Sequence, residues 1–187
     1  MNTSKMVFFL GGLVFTVYMA DIYLKTLKPP DHIHSRDDVP AERDQQGPSP
    51  SEIARLEARL AEQPDNIDLI LQLGHIYLNT RRYEKAEKIF SKAVKMYPDN
   101  AEMLVDLGVA LRGLSRINES LTLLIQATQQ FPEYGDGWLQ LAVLYRFNLK
   151  DNIKALVNFE KYLSLEDEGE TAFRVRQEVK RIKNEMP

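Results

Sequence analysis

Residues 70–98 read ILQLGHIYLNTRRYEKAEKIFSKAVKMYP, and parts of this stretch recur along the chain. The recurring elements are a leucine followed by a small residue, and a proline that closes each unit. They stand 34 residues apart as Leu73-Gly74, Leu107-Gly108 and Leu141-Ala142, and as Pro64, Pro98 and Pro132. A fixed period of this length is typical of stacked helix–turn–helix repeats. We therefore predict an all-α fold built from such repeats.

Each repeat places its apolar residues at helical spacing. In the first, Ile70, Leu73, Gly74 and Tyr77 share one face of a first helix, while a second helix carries Ala86, Phe90 and Ala93. We expect Gly74 to lie where the two helices cross closely, with Phe90 filling the space beside it. A larger side chain at position 74 would push the helices apart.

The period sets the boundaries of the repeat domain at residues 51–187. We predict a leading helix over 51–63, three repeats over 67–100, 101–134 and 135–168, and a capping helix over 171–185. Ser51, Asn66 and Asn100 are predicted N-caps. In the third repeat, Ala155 and Phe159 arrive one residue late, so we expect a lengthened turn over Asn148–Asn152.

The N-terminal region predicts attachment to a membrane. Residues 1–5 form a short tail, and Met6–Leu24 is an apolar segment whose 19 residues would span about 28 Å as a helix. A cleaved signal peptide is the alternative, but bulky Tyr18 stands where such a site needs a small residue. Residues 25–50 are rich in proline and charge and are predicted to be a disordered linker.

The predicted location follows from this arrangement. A five-residue tail before the apolar segment, with a long polar region behind it, resembles a bacterial signal-anchor. The repeat domain would then lie outside the cytoplasm, in the periplasm at the inner membrane. Lys5 before the segment and Lys25 and Lys28 behind it are balanced, so the distribution of positive charge hardly discriminates between the orientations.

Composition argues against several classes of function. The chain has 27 acidic and 24 basic residues and a formal net charge of −3, which lacks the basic excess of a nucleic-acid-binding protein. It contains no cysteine, and no catalytic or phosphate-binding motif is present. His32 and His34 are too few to hold a metal. We therefore expect no enzymatic activity, cofactor, metal or small-molecule substrate.

The positions Ile70-Leu73-Gly74-Tyr77-Ala86-Phe90-Ala93-Pro98 resemble the tetratricopeptide repeat family. The resemblance covers about residues 51–187 and implies a right-handed solenoid whose concave face is lined by the first helices and binds peptides or partner domains. With the N-terminal anchor, Leu56–Asn66 also resembles the segment before the first repeat in bacterial c-type cytochrome biogenesis subunits. Those proteins present apocytochromes to the haem-attachment machinery, and similar anchored repeats assist complex assembly.

A second stripe on the first helices is the predicted partner-binding surface. Its steps of four and three residues put each trio on one helix face. The trios are Leu71, His75 and Leu78; Val105, Val109 and Arg112; and Leu139, Val143 and Arg146. The two arginines suit a ligand with a terminal carboxylate. The alternative is that the apolar members pack against the neighbouring repeat and the arginines are solvated.

The sequence thus predicts a membrane-tethered scaffold that captures a protein or peptide partner, in cytochrome c maturation or the assembly of a membrane complex. The alternative is a permanent structural subunit with no exchangeable ligand. If the scaffold interpretation holds, Val109→Glu is expected to weaken partner capture without changing the melting temperature.

Overall fold

The computed structural model describes residues 48–186, and within that range the chain is helical without strands. The helices are α1 (Pro50–Glu62), α2 (Ile67–Asn79), α3 (Tyr83–Met96), α4 (Ala101–Gly113), α5 (Ile117–Gln130), α6 (Gly135–Val143), α7 (Asn152–Leu165) and α8 (Gly169–Glu185). A π-helical segment, Leu144–Leu149, continues α6. Three helix pairs, α2–α3, α4–α5 and α6–α7, therefore follow one leading helix and precede one capping helix.

The predicted tail, membrane anchor and most of the linker fall on residues 1–47, outside the described residues. Among the helices of residues 48–186, none combines the length and apolar character needed to cross a membrane.

Asparagine side chains start the first helices of the first two repeats, as predicted. The side chains of Asn66 and Asn100 accept hydrogen bonds from the backbone N–H groups of Leu69 and Met103, at 3.2 and 2.9 Å. The leading helix differs from the prediction, because its N-cap is Ser49 rather than Ser51. The proline at position 50 explains the shift, since its fixed φ and missing N–H suit the first position of a helix.

Small residues allow the two helices of a repeat to approach closely, which confirms the predicted packing. A Cβ atom added to Gly74 would lie 2.3 Å from Cζ of Phe90, and one added to Gly108 would lie 2.9 Å from Leu124. Ser120, at the position of an alanine in the first repeat, is buried and donates a hydrogen bond to the Gly108 carbonyl at 2.6 Å. The Ser120 hydroxyl thus has a hydrogen-bond partner, and serine in place of alanine is compatible with close packing of the two helices.

The extra residue of the third repeat lies in a helix and not in a lengthened turn. The turn residues Arg81, Ser115 and Lys150 share a left-handed conformation, with φ of 57°, 61° and 57°. The N–H after Lys150, on Asp151, bonds to the Tyr145 carbonyl six residues back, whereas its counterparts in the first two repeats reach back five. One added residue is thus absorbed as a wide π-helical turn, while the left-handed residue before the second helix is kept.

The predicted capping helix is α8, which buries an apolar stripe with Ala172, Val175 and Ile182 at most 5% exposed. Most of its charged residues face solvent, as a terminal helix of a stack requires.

Candidate functional site

The five inner apolar residues of the predicted partner-binding stripe lie in the protein interior. Leu78, Val105, Val109, Leu139 and Val143 are at most 4% exposed and belong to the hydrophobic core. The helices α4 and α6 contact one another, and these side chains fill the space between successive repeats. The structure therefore favours the packing alternative for them. A partner can contact only the four members that reach the surface, namely Leu71, His75, Arg112 and Arg146.

Arg146 is engaged by carboxylates of the chain itself. Its Nε atom lies 2.7 Å from Oε1 of Glu178, and its Nη1 atom lies 2.8 Å from Oε2 of Glu185. Nη1 also donates to the side-chain oxygen of Asn152 at 2.7 Å. The hydrogen bonds to Glu185 and Glu178 raise the pKa of Arg146. The residue thus ties the π-helical segment to the capping helix, and its predicted role in binding a partner's carboxylate finds no support.

Arg112 has a different environment. Its Nη2 atom donates to Oε1 of Gln140 at 3.2 Å, which links α4 to α6. Its Nε atom is buried without a hydrogen-bond partner, and within residues 48–186 no carboxylate forms an ion pair with it. Burial lowers the pKa of its guanidinium group.

His75 joins the first two repeats through an acidic pair. Its Nε2 atom lies 2.8 Å from Oδ2 of Asp106 and 3.4 Å from Oε1 of Glu102. Because an ionised carboxylate only accepts hydrogen bonds, we assign a proton to Nε2. The Nε2–H group then donates a hydrogen bond to Asp106. Asp106 is only 3% exposed, so this charge is held between α2 and α4. We call His75, Glu102 and Asp106 the His–acid cluster.

The pKa of His75 is raised by this environment. Burial acts to lower it, but the hydrogen bond to Asp106 and the negative charges of Asp106 and Glu102 together outweigh burial. The negative charges of Glu102 and Asp106 also act on Tyr134, which directly precedes the first helix of the third repeat. Burial raises the pKa of Tyr134 most, and the charges of Asp136, Glu102 and Asp106 raise it further. The first helices thus present an acidic region at successive repeats.

This acidic region was not predicted, although its spacing is visible in the sequence. Asp68, Glu102 and Asp136 stand 34 residues apart, at the second residue of each first helix. Asp106 follows Glu102 by four residues, which puts both on one face of α4. We call the side of α2, α4 and α6 that carries these residues the first-helix face.

We expect the stability contributed by His75 to depend on pH. Its folded pKa is raised, so its contribution is complete below the ordinary histidine value of about 6.5 and is lost as the pH rises through the folded pKa. The free energy of unfolding of the wild type should exceed that of His75→Gln by more at pH about 5.5 than at pH about 8.5. Urea unfolding of both proteins at the two pH values measures this. A difference that grows with pH would contradict the assignment.

One segment of the chain matches a known family of repeats. Residues 53–107 match the family model of the tetratricopeptide repeat. The matched segment runs from α1 into the middle of α4 and includes the Gly74–Phe90 contact. Together with the structural likenesses described next, it supports the tetratricopeptide repeat family for this chain.

Solved structures agree with this fold. A crystal structure of MamA is 22% identical with a TM-score of 0.60, over 72% of this chain and 76% of MamA. TTC0263, a tetratricopeptide repeat protein of Thermus thermophilus, is 20% identical with a TM-score of 0.61, over 73% of each chain. A structure of MamA MSR-1 is 28% identical with a TM-score of 0.53, over 63% of this chain and 67% of that chain. No curated protein sequence matches the chain significantly.

Tetratricopeptide repeat domains generally bind protein partners and are typically not enzymes.

Proposed function

We propose that the protein is a membrane-tethered scaffold that captures a basic segment of a partner polypeptide on its first-helix face. The observation that carries this proposal is the acidic residue at the second position of all three first helices, Asp68, Glu102 and Asp136. Asp106 lies on the same side of α4 but is buried and pairs with His75. A row of like charges along successive repeats steers and orients an extended chain of opposite charge.

The two arginines of the predicted stripe lie against other partners than this row. Arg146 is neutralised by Glu178 and Glu185, and Arg112 lies at the far end of α4 with a buried Nε atom. A partner rich in lysine or arginine thus fits the face better than the carboxylate-bearing peptide that the arginines suggested.

The membrane part of the proposal rests on the apolar segment Met6–Leu24. A tether raises the local concentration of the captured chain near other membrane components. We place the repeat domain on the extracytoplasmic side, on the resemblance to a signal-anchor. The resemblance of Leu56–Asn66 to c-type cytochrome biogenesis subunits makes cytochrome maturation the first process in which to look for the partner.

A permanent structural subunit is the second candidate, and one observation favours it. Ile153 and Val157 on α7 are 66% and 60% exposed. The equivalent positions of the first repeat hold Glu84 and Lys88, and those of the second hold Asn118 and Thr122. Only the third repeat of the described domain thus exposes an apolar pair on its second helix, as a subunit contact would.

Site-specific photo-crosslinking on intact membranes tests the scaffold. A photoreactive residue at exposed Gln72 on α2 should trap a partner, whereas the same residue at exposed Lys88 on α3 should not. Equal trapping at both positions, or trapping only at Val157, would favour the subunit instead. Removing residues 6–24 should release the protein from the membrane fraction.

Charge reversal then tests the chemistry of the partner. Asp68→Lys should weaken binding of the trapped partner by about fivefold, because one exposed charge contributes up to about 1 kcal/mol. Glu84→Lys on α3 makes the same change away from the first-helix face and should leave the affinity unaltered. An unchanged affinity in Asp68→Lys would remove the acidic row from the proposal.

A further inference from the structure

The His–acid cluster brings together three side chains of the types that bind metal ions. Nε2 of His75, a carboxylate oxygen of Glu102 and one of Asp106 all lie within 4.8 Å of one another. The residues come from two different repeats, His75 from α2 and the acids from α4. The site therefore exists only when these two first helices lie side by side.

The His75–Glu102 distance is that of neighbouring ligand atoms in a tetrahedral metal site, the His75–Asp106 distance is shorter, and all three atoms lie within 4.8 Å. Zn²⁺ binds imidazole nitrogen and carboxylate oxygen at about 2.0–2.2 Å, so neighbouring ligand atoms lie about 3.3–3.5 Å apart. The His75–Glu102 separation is 3.4 Å, and the His75–Asp106 separation is 2.8 Å. An ion among the three therefore requires the Asp106 oxygen to move about 0.5 Å farther from Nε2.

The charges and exposures also suit an ion. Two carboxylates and a neutral imidazole carry two negative charges, which a divalent cation cancels. The Asp106 side chain is 5% exposed, while those of His75 and Glu102 are 18% and 28% exposed. The ion could therefore enter from solvent on the Glu102 side, and three protein ligands leave a fourth position for water.

We propose that His75, Glu102 and Asp106 form a binding site for a divalent transition-metal ion of the Zn²⁺ type, which joins the first and second repeats. The imidazole nitrogen favours Zn²⁺ over the oxygen-preferring Mg²⁺. The ion takes the place of the proton on Nε2. A protonated imidazole releases that proton when the ion binds, whereas a neutral one moves it to Nδ1. This inference goes beyond partner capture and does not depend on it.

An ion shared by α2 and α4 would stabilise the folded domain, because the site is absent from the unfolded chain. At a free Zn²⁺ concentration about 100 times the Kd, the melting temperature should rise by about 5–10 °C.

Calorimetric titration of the full chain with ZnCl₂ tests the site, in a background of His32→Ala and His34→Ala that removes the other histidines. We expect one equivalent of Zn²⁺ to bind, and MgCl₂ to bind at least about tenfold more weakly. Each of His75→Gln and Glu102→Gln should weaken Zn²⁺ binding at least about tenfold, since each removes one of three ligands.

The matched control is Asp68→Asn, which neutralises the acid one repeat before Glu102 and should bind Zn²⁺ like the background protein. The helical circular dichroism signal identifies variants that are folded. Of His75→Gln and Glu102→Gln, the second is less disruptive to folding because the Glu102 side chain is more exposed. Folded variants that keep the background affinity for Zn²⁺, or a background protein that binds Mg²⁺ as tightly as Zn²⁺, would overturn the proposal.

Discussion

Val109→Glu is expected to remove about 4 kcal/mol or more from the free energy of unfolding, which is most of the stability of an ordinary domain. Val109 is 4% exposed and lies in the core between the repeats. A glutamate there would place an uncompensated charge in an apolar environment, and the carboxylate of Asp106, three residues earlier on the same helix, would repel it. Urea unfolding followed by circular dichroism measures the loss.

Gln72→Glu is the matched control, because it adds the same charge at an exposed position of α2. Its stability should stay within about 0.5 kcal/mol of the wild type. If the Val109→Glu protein were instead as stable as the Gln72→Glu protein, Val109 would lie at the surface. It would then be available to a partner, as the sequence predicts. The structure thus reverses the result expected from the sequence alone.

Phe90→Ala is expected to cost about 3–5 kcal/mol of stability, because it empties the centre of the first repeat. Phe90 is fully buried, and its ring lies against Gly74 of the paired helix. The glycine has no side chain to fill the resulting space, so little relaxation is possible. Urea unfolding gives the value, and Lys88→Ala, at an exposed position of the same helix, should change stability by less than about 0.5 kcal/mol.

A double-mutant cycle with Gly74→Ala shows whether the two residues act together. Alone, Gly74→Ala should destabilise, since its Cβ would lie 2.3 Å from the Phe90 ring and overpacking of this kind costs about 1–3 kcal/mol. In the Phe90→Ala protein the clash is absent, and alanine should stabilise α2 by its better helix propensity, by up to about 1 kcal/mol. Additive effects of the two substitutions would contradict the close packing.

The sequence predicted the fold well because the relevant information is local. Gly74 and Phe90 pair from their positions within one 34-residue unit, and Asn66 and Asn100 are N-caps by the preference of asparagine for that position. The leading helix begins earlier than predicted, with Ser49 as its N-cap in place of Ser51, because Pro50 occupies its first position.

The candidate site was predicted less well because it depends on distances between repeats. Helical spacing correctly put Val105 and Val109 on one face of α4, but spacing does not tell how near the next first helix lies. The helices approach closely enough to bury both residues. His75 was recognised on the same stripe, yet its partner Asp106 lies 31 residues away, and no local rule connects them.

By itself, the sequence determined the repeat length, the helix pairs and the small residues at their crossings, because these follow from periodicity within a helix and from the volume of single side chains. Only the tertiary structure decided which stripe is buried and where the extra residue of the third repeat goes. It also decided that Arg146 pairs with Glu178 and Glu185, and that His75 meets two carboxylates. These contacts join residues of different repeats, or of the third repeat and the capping helix, and they depend on how closely and at what angle successive helices pack.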